Sequence, residues 1–200
     1  MKTRARAHIA PLDADDPRSR DPQIEELVQF VGYRPYALLT MARMPGVVPA
    51  LLKLLDVTLR SDGRLAPQFK FLIAAEAARG AQCQYTATHL VHAAHHLGAP
   101  WEKLAALPSY LDSPKYADRE RAALKIASAG GVLPVREPAL AMAAAKSVFS
   151  DEEIIEIVAC VAVAGWFNRW NSLMGTELEP VPAEALDHVP WLSEFPACVP

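Results

Sequence analysis

From Pro22 to about Gly175, apolar residues recur every three or four positions, the spacing of one face of an α-helix. Ile24, Leu27, Val28 and Val31 make the first such face. Asp21-Pro22 opens it, since Asp can cap a helix and Pro suits its first position. Apolar helices follow over 36–44 and 47–59, with Pro35, Pro45 and Pro49 near their starts. Beyond the turn Ser61-Asp62-Gly63-Arg64 the pattern predicts helices over 67–79 and 82–97, separated by a break at Gly80, and Gly98 is placed to stop the second. Further helices are expected over 100–107, 118–128 and 137–149. Ser150-Asp-Glu-Glu153 is a capping box opening a long helix to about Met174. Strand alternation is nearly absent, so the fold class is all-α. Residues 1–20 mix Pro, Asp and Arg without periodicity and read as a flexible arm ahead of a helical domain over 21–180. Pro180, Pro182, Pro190, Pro196 and Pro200 predict an extended tail over 181–200, anchored by Trp191 and Phe195 on its own domain or on a neighbouring subunit.

Composition narrows the function. With 52% hydrophobic residues in a 200-residue chain, the sequence suits one globular domain that needs no metal or disulfide to fold. A net charge of −3 gives no bulk drive toward nucleic acid or anionic lipid, so neither is expected as a partner. The longest apolar run, 157–167, is 11 residues, against about 20 for a membrane span. The N-terminus lacks the apolar core of a signal peptide, and a cytoplasmic location is expected. Cys83, Cys160 and Cys198 are too few and scattered for a disulfide framework, so a cysteine that matters does so as a thiol. Phosphate loops, GxGxxG and GxSxG are missing.

The candidate chemistry lies in Gly80-Ala-Gln-Cys83-Gln-Tyr85-Thr86-Ala-Thr-His89. A thiol in the first turn of a helix meets unpaired amides and the positive end of the helix dipole, which favour thiolate. Thr86 and His89 share a face one turn apart. Cys83 and His89 lie roughly 120° apart around the axis, so direct pairing needs an irregular first turn or a bridging water. The bland alternative is a small buried cysteine beside a structural histidine. His89, His92 and His96 could share a face, but with no Asp or Glu in that helix and no carboxylate or cysteine partner for the three histidines, a metal site is not expected. Asn168 and Asn171, one turn apart in an apolar helix, are expected to be buried and hydrogen-bonded.

The segment Cys83-Gln-Tyr85-Thr86-Ala-Thr-His89 resembles the C-x-Y-C-x-x-H motif of the alkylhydroperoxidase D-like, or carboxymuconolactone decarboxylase-like, superfamily. Leu65-Ala-Pro67-Gln-Phe-Lys70-Phe-Leu72-Ile73 resembles the helix before that motif, and Phe167-Asn168-Arg169-Trp170-Asn171 resembles an aromatic-Asn-Arg-aromatic-Asn stretch of its closing helix. The resemblance implies a multi-helix bundle, a homo-trimer or homo-hexamer, and no cofactor. It makes Cys83 the first redox cysteine and His89 the relay histidine, with Tyr85, Thr86, Asn168 and Asn171 in support. Thr86 replaces the second cysteine. The family's relay glutamate falls on Phe71, which leaves Glu76 as the nearest carboxylate on that helix.

The leading expectation is therefore thiol-dependent hydroperoxide reduction by Cys83 alone, with His89 and Glu76 moving protons and an external thiol as reductant. The alternatives are cofactor-free lyase chemistry on a small organic acid or lactone with His89 as acid or base, and a non-catalytic helical binding protein.

Overall fold

The computed structural model describes residues 7–195, and every regular element among them is helical. In order these are α1 (Pro22–Val31), α2 (Tyr36–Met41), α3 (Val47–Leu55), α4 (Pro67–Gly80), α5 (Gln84–His96), α6 (Trp101–Ala105), α7 (Asp118–Gly130), α8 (Pro138–Lys146) and α9 (Asp151–Met174). Their ends follow the local chemistry. The Asp21 carboxylate accepts from the Gln23 amide at 2.9 Å, and Gly98 leaves α5 at φ 99°, a conformation costly for a residue with a Cβ. At α9 the Ser150 hydroxyl accepts from the Glu153 amide, while the Glu153 carboxylate accepts from the Ser150 amide at 2.9 Å. No helix among the described residues is long and apolar enough to cross a membrane.

Helix α4 runs through the middle, buried continuously from Lys70 to Ala78, and packs on α5, α7 and α9. Its approach to the end of α7 requires glycine at 131, where a Cβ would lie 2.5 Å from the Ala77 carbonyl oxygen. A buried lysine is tolerated only if paired. Lys70 donates to the Ser61 carbonyl at 3.1 Å and lies 3.4 Å from Glu156, whose carboxylate accepts the Arg64 and Leu65 amides. A second apolar cluster joins α1, α2 and α3 to the start of α5, where Ile24, Leu27, Leu38, Met41 and Leu51 surround Cys83 and Tyr85.

Three segments depart from the sequence expectation. The helix expected over 47–59 ends as α at Leu55 and continues as one π-helical turn, Asp56–Arg60. Residues 7–20 are not an arm standing clear of the domain. The His8 amide donates to Met174, the Leu12 amide to Leu39, and Leu12 and Ser19 are buried. Capping by Asp16 folds Pro17–Arg20 into a 3-10 turn, a local contact that periodicity does not register. The tail is not extended either. It forms the short helices α10 (Pro180–Ala183) and α11 (Ala185–His188) and a 3-10 turn, Pro190–Ser193, because Pro180 and Pro190 sit at helical first positions where proline is favoured. Trp191 does anchor it, donating its indole N–H to the Leu104 carbonyl at 3.0 Å, with Phe195 edge-on to its ring. Pro196, Cys198 and Pro200 lie outside the described residues.

Candidate active site

The break between α4 and α5 sets the site. Gln82 adopts φ 54°, and the chain then enters α5 with Cys83 as its capping residue in extended backbone. The thiol therefore sits just before the first turn rather than within it. Its sulfur lies 3.2 Å from Thr86 Oγ1 and is fully buried. Thr86 Oγ1 accepts from Asn171 Nδ2 at 3.1 Å, and Asn171 Oδ1 accepts from the Thr176 hydroxyl at 2.9 Å. Asn171 thus ties the C-terminal half of α9 to the motif on α5.

One turn further along α5, His89 is held at both ring nitrogens. Nδ1 is 2.9 Å from the Tyr33 hydroxyl and Nε2 is 2.7 Å from Glu179 Oε2. The other carboxylate oxygen of Glu179 accepts from the Tyr85 hydroxyl at 2.7 Å and from the Tyr36 amide. Tyr85 also stacks on the His89 ring, with centroids 4.1 Å apart. Burial alone pushes the Glu179 carboxyl up, but His89, the Tyr36 amide and the Tyr85 hydroxyl outweigh it and hold it below its usual value. An ionised Glu179 requires a proton on His89 Nε2. Neutral His89 then accepts from Tyr33, whereas protonated His89 donates to it. Burial, and next the Glu179 charge, push the Tyr33 and Tyr85 hydroxyls upward, so both remain protonated donors at neutral pH.

Between the two apolar clusters lies a cavity of about 120 Å³. Its polar lining comes from Tyr33, Arg60, Tyr85, Thr86, His89 and Asn171, and the rest is apolar, including Phe71 at the position where the family pattern places its relay glutamate. Cys83 is one layer behind this wall, screened by Thr86.

The structure thus brings Cys83, Thr86, Asn171, Tyr85 and His89 together, and leaves two expected residues apart. Glu76 is not the carboxylate at the histidine. It is fully buried against Arg79, with both oxygens 2.7 Å from guanidinium nitrogens, and burial pushes its carboxyl up despite that partner. Asn168 is buried, but Oδ1 has no hydrogen-bond partner among the described residues and does not line the cavity. Glu179, Tyr33 and Arg60 were not singled out by sequence. Glu179 follows a helix and precedes Pro180, a context with no recognisable signal. His92 and His96 pack on the rings of Tyr33 and Phe30, and among the described residues no group of three or more His, Cys, Asp or Glu is placed to hold a metal ion.

No family model and no curated protein matches the chain. Solved structures do. The apo debrominase Bmp8 is 28% identical, with a TM-score of 0.81 over 90% of this chain and 97% of its own. A cysteine-to-alanine variant of Bmp8 in complex with 2,3,4-tribromopyrrole gives 27% identity and a TM-score of 0.83, over 91% and 97%. The alkylhydroperoxidase AhpD core of an uncharacterised peroxidase-related protein from Ralstonia eutropha JMP134 is 22% identical, with a TM-score of 0.69 over 86% and 93%. The all-helical chain described above has the alkylhydroperoxidase D-like fold.

Proposed function

We propose that this protein is a single-thiol oxidoreductase in which Cys83 attacks an electrophilic halogen on a one-ring aromatic compound. The observation that carries the reading is the cavity. It is close in size to the roughly 150 Å³ apolar cavity known to accept benzene, and Thr86, whose hydroxyl lies 3.2 Å from the Cys83 sulfur behind the wall, lines it beside the Tyr33–His89–Glu179 network. The likeness to a debrominase over nearly the whole chain adds support.

In this reading the substrate turns Thr86 aside and meets the sulfur. The Thr86 hydroxyl already accepts from Asn171, so its own proton can be directed at the sulfur, where it supports a thiolate. Sulfur takes the halogen, and the electron pair of the carbon–halogen bond remains on the ring carbon. That carbon takes a proton from the Tyr33 hydroxyl, which His89 Nδ1 positions at 2.9 Å. One external thiol displaces halide from the sulfenyl halide, leaving a mixed disulfide, and a second thiol frees Cys83. The sum is organic halide plus two thiols giving reduced ring, disulfide and hydrogen halide. Hydroperoxide reduction is the second reading. It uses the same sulfur and passes through a sulfenic acid, and it is favoured by the order of the motifs along the chain. In both, Thr86 in place of a second cysteine means that the resolving thiol comes from outside.

The test follows bromide release from 2,3,4-tribromopyrrole and consumption of cumene hydroperoxide, each with dithiothreitol, for the parent and for Cys83→Ser. Bromide release that is lost in Cys83→Ser supports the proposal, and peroxide consumption alone moves it to the second reading. Turnover of an organic acid or lactone that survives Cys83→Ser would replace thiol chemistry by acid–base chemistry at His89 and Glu179.

A further inference from the structure

Arg60 is a cation in the wall of a mostly apolar cavity, and the thiol chemistry above gives it no task. It closes the π-helical turn Asp56–Arg60. One edge of its guanidinium pairs with half-exposed Asp56. Its Nε is buried and has no hydrogen-bond partner among the described residues. Buried N–H groups in folded proteins are almost always satisfied, so this one calls for an acceptor. The other polar groups of the wall are already engaged: Tyr33 with His89, Tyr85 with Glu179, and Thr86 with Asn171. The nearby wall residues Leu55, Leu59, Phe71 and Leu90 offer apolar side chains.

We propose that Arg60 is the specificity residue of the cavity and anchors an anionic group on the ligand, so that the substrate class is a one-ring aromatic anion such as an aromatic carboxylate or an ionised phenol. The inference rests on the cavity being the substrate site, as in the function proposed above, but not on the thiol reaction. The guanidinium supplies a charge-assisted hydrogen bond, stronger in apolar surroundings than in water. The ring then lies against the apolar wall, between Arg60 and the Thr86–His89 side. Asp56 competes with the ligand for the same cation, but from the water side, where its charge is screened.

The experiment measures equilibrium binding of benzoate and benzamide, equal in shape and different in charge, to the Cys83→Ala variant by calorimetry at low ionic strength. Benzoate is expected to bind at least about tenfold tighter than benzamide, as one charge-assisted hydrogen bond allows. Arg60→Met should bring the ratio to about one while benzamide affinity stays within about threefold. Asp56→Asn should raise the ratio, which keeps the test decisive if Arg60→Met fails to fold. Equal binding of the two probes, no binding of either, a ratio unmoved by Arg60→Met, or a ratio not raised by Asp56→Asn would each overturn the inference. An Arg60-dependent preference for benzoate without any thiol-dependent turnover would sink the proposed function and leave this inference standing. Turnover without charge preference would do the reverse.

Discussion

Replacing Glu179 tests the network on which both readings depend. Its carboxylate is 2% exposed and serves His89, Tyr85 and the Tyr36 amide. Glu179→Ala leaves two buried donors, the Tyr85 hydroxyl and the Tyr36 amide, without their acceptor. Each costs about 1–3 kcal/mol, and water entering the space recovers part of that, so a loss of about 3 kcal/mol is expected. Glu179→Gln keeps an oxygen for those two donors. Its amide would face His89 Nε2, which can accept if the ring proton moves to Nδ1 and Tyr33 becomes the acceptor there. That rearrangement should cost about 1 kcal/mol. Urea unfolding at pH 7, with an unchanged slope, reads both values. The pH dependence is a further check. The folded-state value of Glu179 is depressed below 4.5, so its stabilisation is complete above about 4.5 and is lost as pH falls through the depressed value. Glu179→Gln should flatten that part of the acid limb. An alanine variant within about 0.5 kcal/mol of the parent, or a glutamine variant as weak as the alanine one, would show that the network does not hold the site together.

Thr86→Cys should give a protein that loses two free thiols on oxidation and regains them with dithiothreitol, since positions 83 and 86 already stand 3.2 Å apart at their side-chain tips. Loss of the Asn171 hydrogen bond should cost it about 1 kcal/mol, and a folded variant that keeps all its thiols would count against the geometry. Brief alkylation should mark Cys83 before Cys160, because burial pushes the Cys160 thiol up to about 12 and Cys83 touches Thr86, a residue of the cavity wall; mass spectrometry showing the opposite order would refute this. We further propose self-association through the outer face of α9, where Ile155, Val158, Trp166 and Leu173 are exposed. Light scattering should find an oligomer that Trp166→Glu weakens, and a monomeric parent at micromolar concentration would refute it.

The helical order was legible because each helix carries its own signals, such as the Ser150–Glu153 box and the break at Gly80. Cys83, Thr86, His89 and Asn171 were legible because three lie within one short motif and the fourth in a patterned stretch of α9. Glu76 was a reasonable choice by proximity in sequence, yet its helix turns it toward Arg79. The carboxylate that reaches His89 comes from 90 positions away, beyond anything spacing can show. Arg60 was hidden by a local change of helical pitch, since a π turn shifts the face on which every later side chain emerges.

The hydrogen bonds around His89 join residues 56, 90 and 94 positions apart in the chain. Contacts this distant require long loops to close, at a higher cost in chain entropy than the local α4–α5 pairing. Glu179 lies beyond α9, so a chain emerging only as far as Gly175 contains the thiol, the histidine and the cavity wall but lacks the carboxylate. The network around His89 is therefore completed late in synthesis. A partly folded chain holds the cysteine and the histidine before it holds the carboxylate that fixes the histidine ring, so the motif on α5 is present before its hydrogen-bond network is complete.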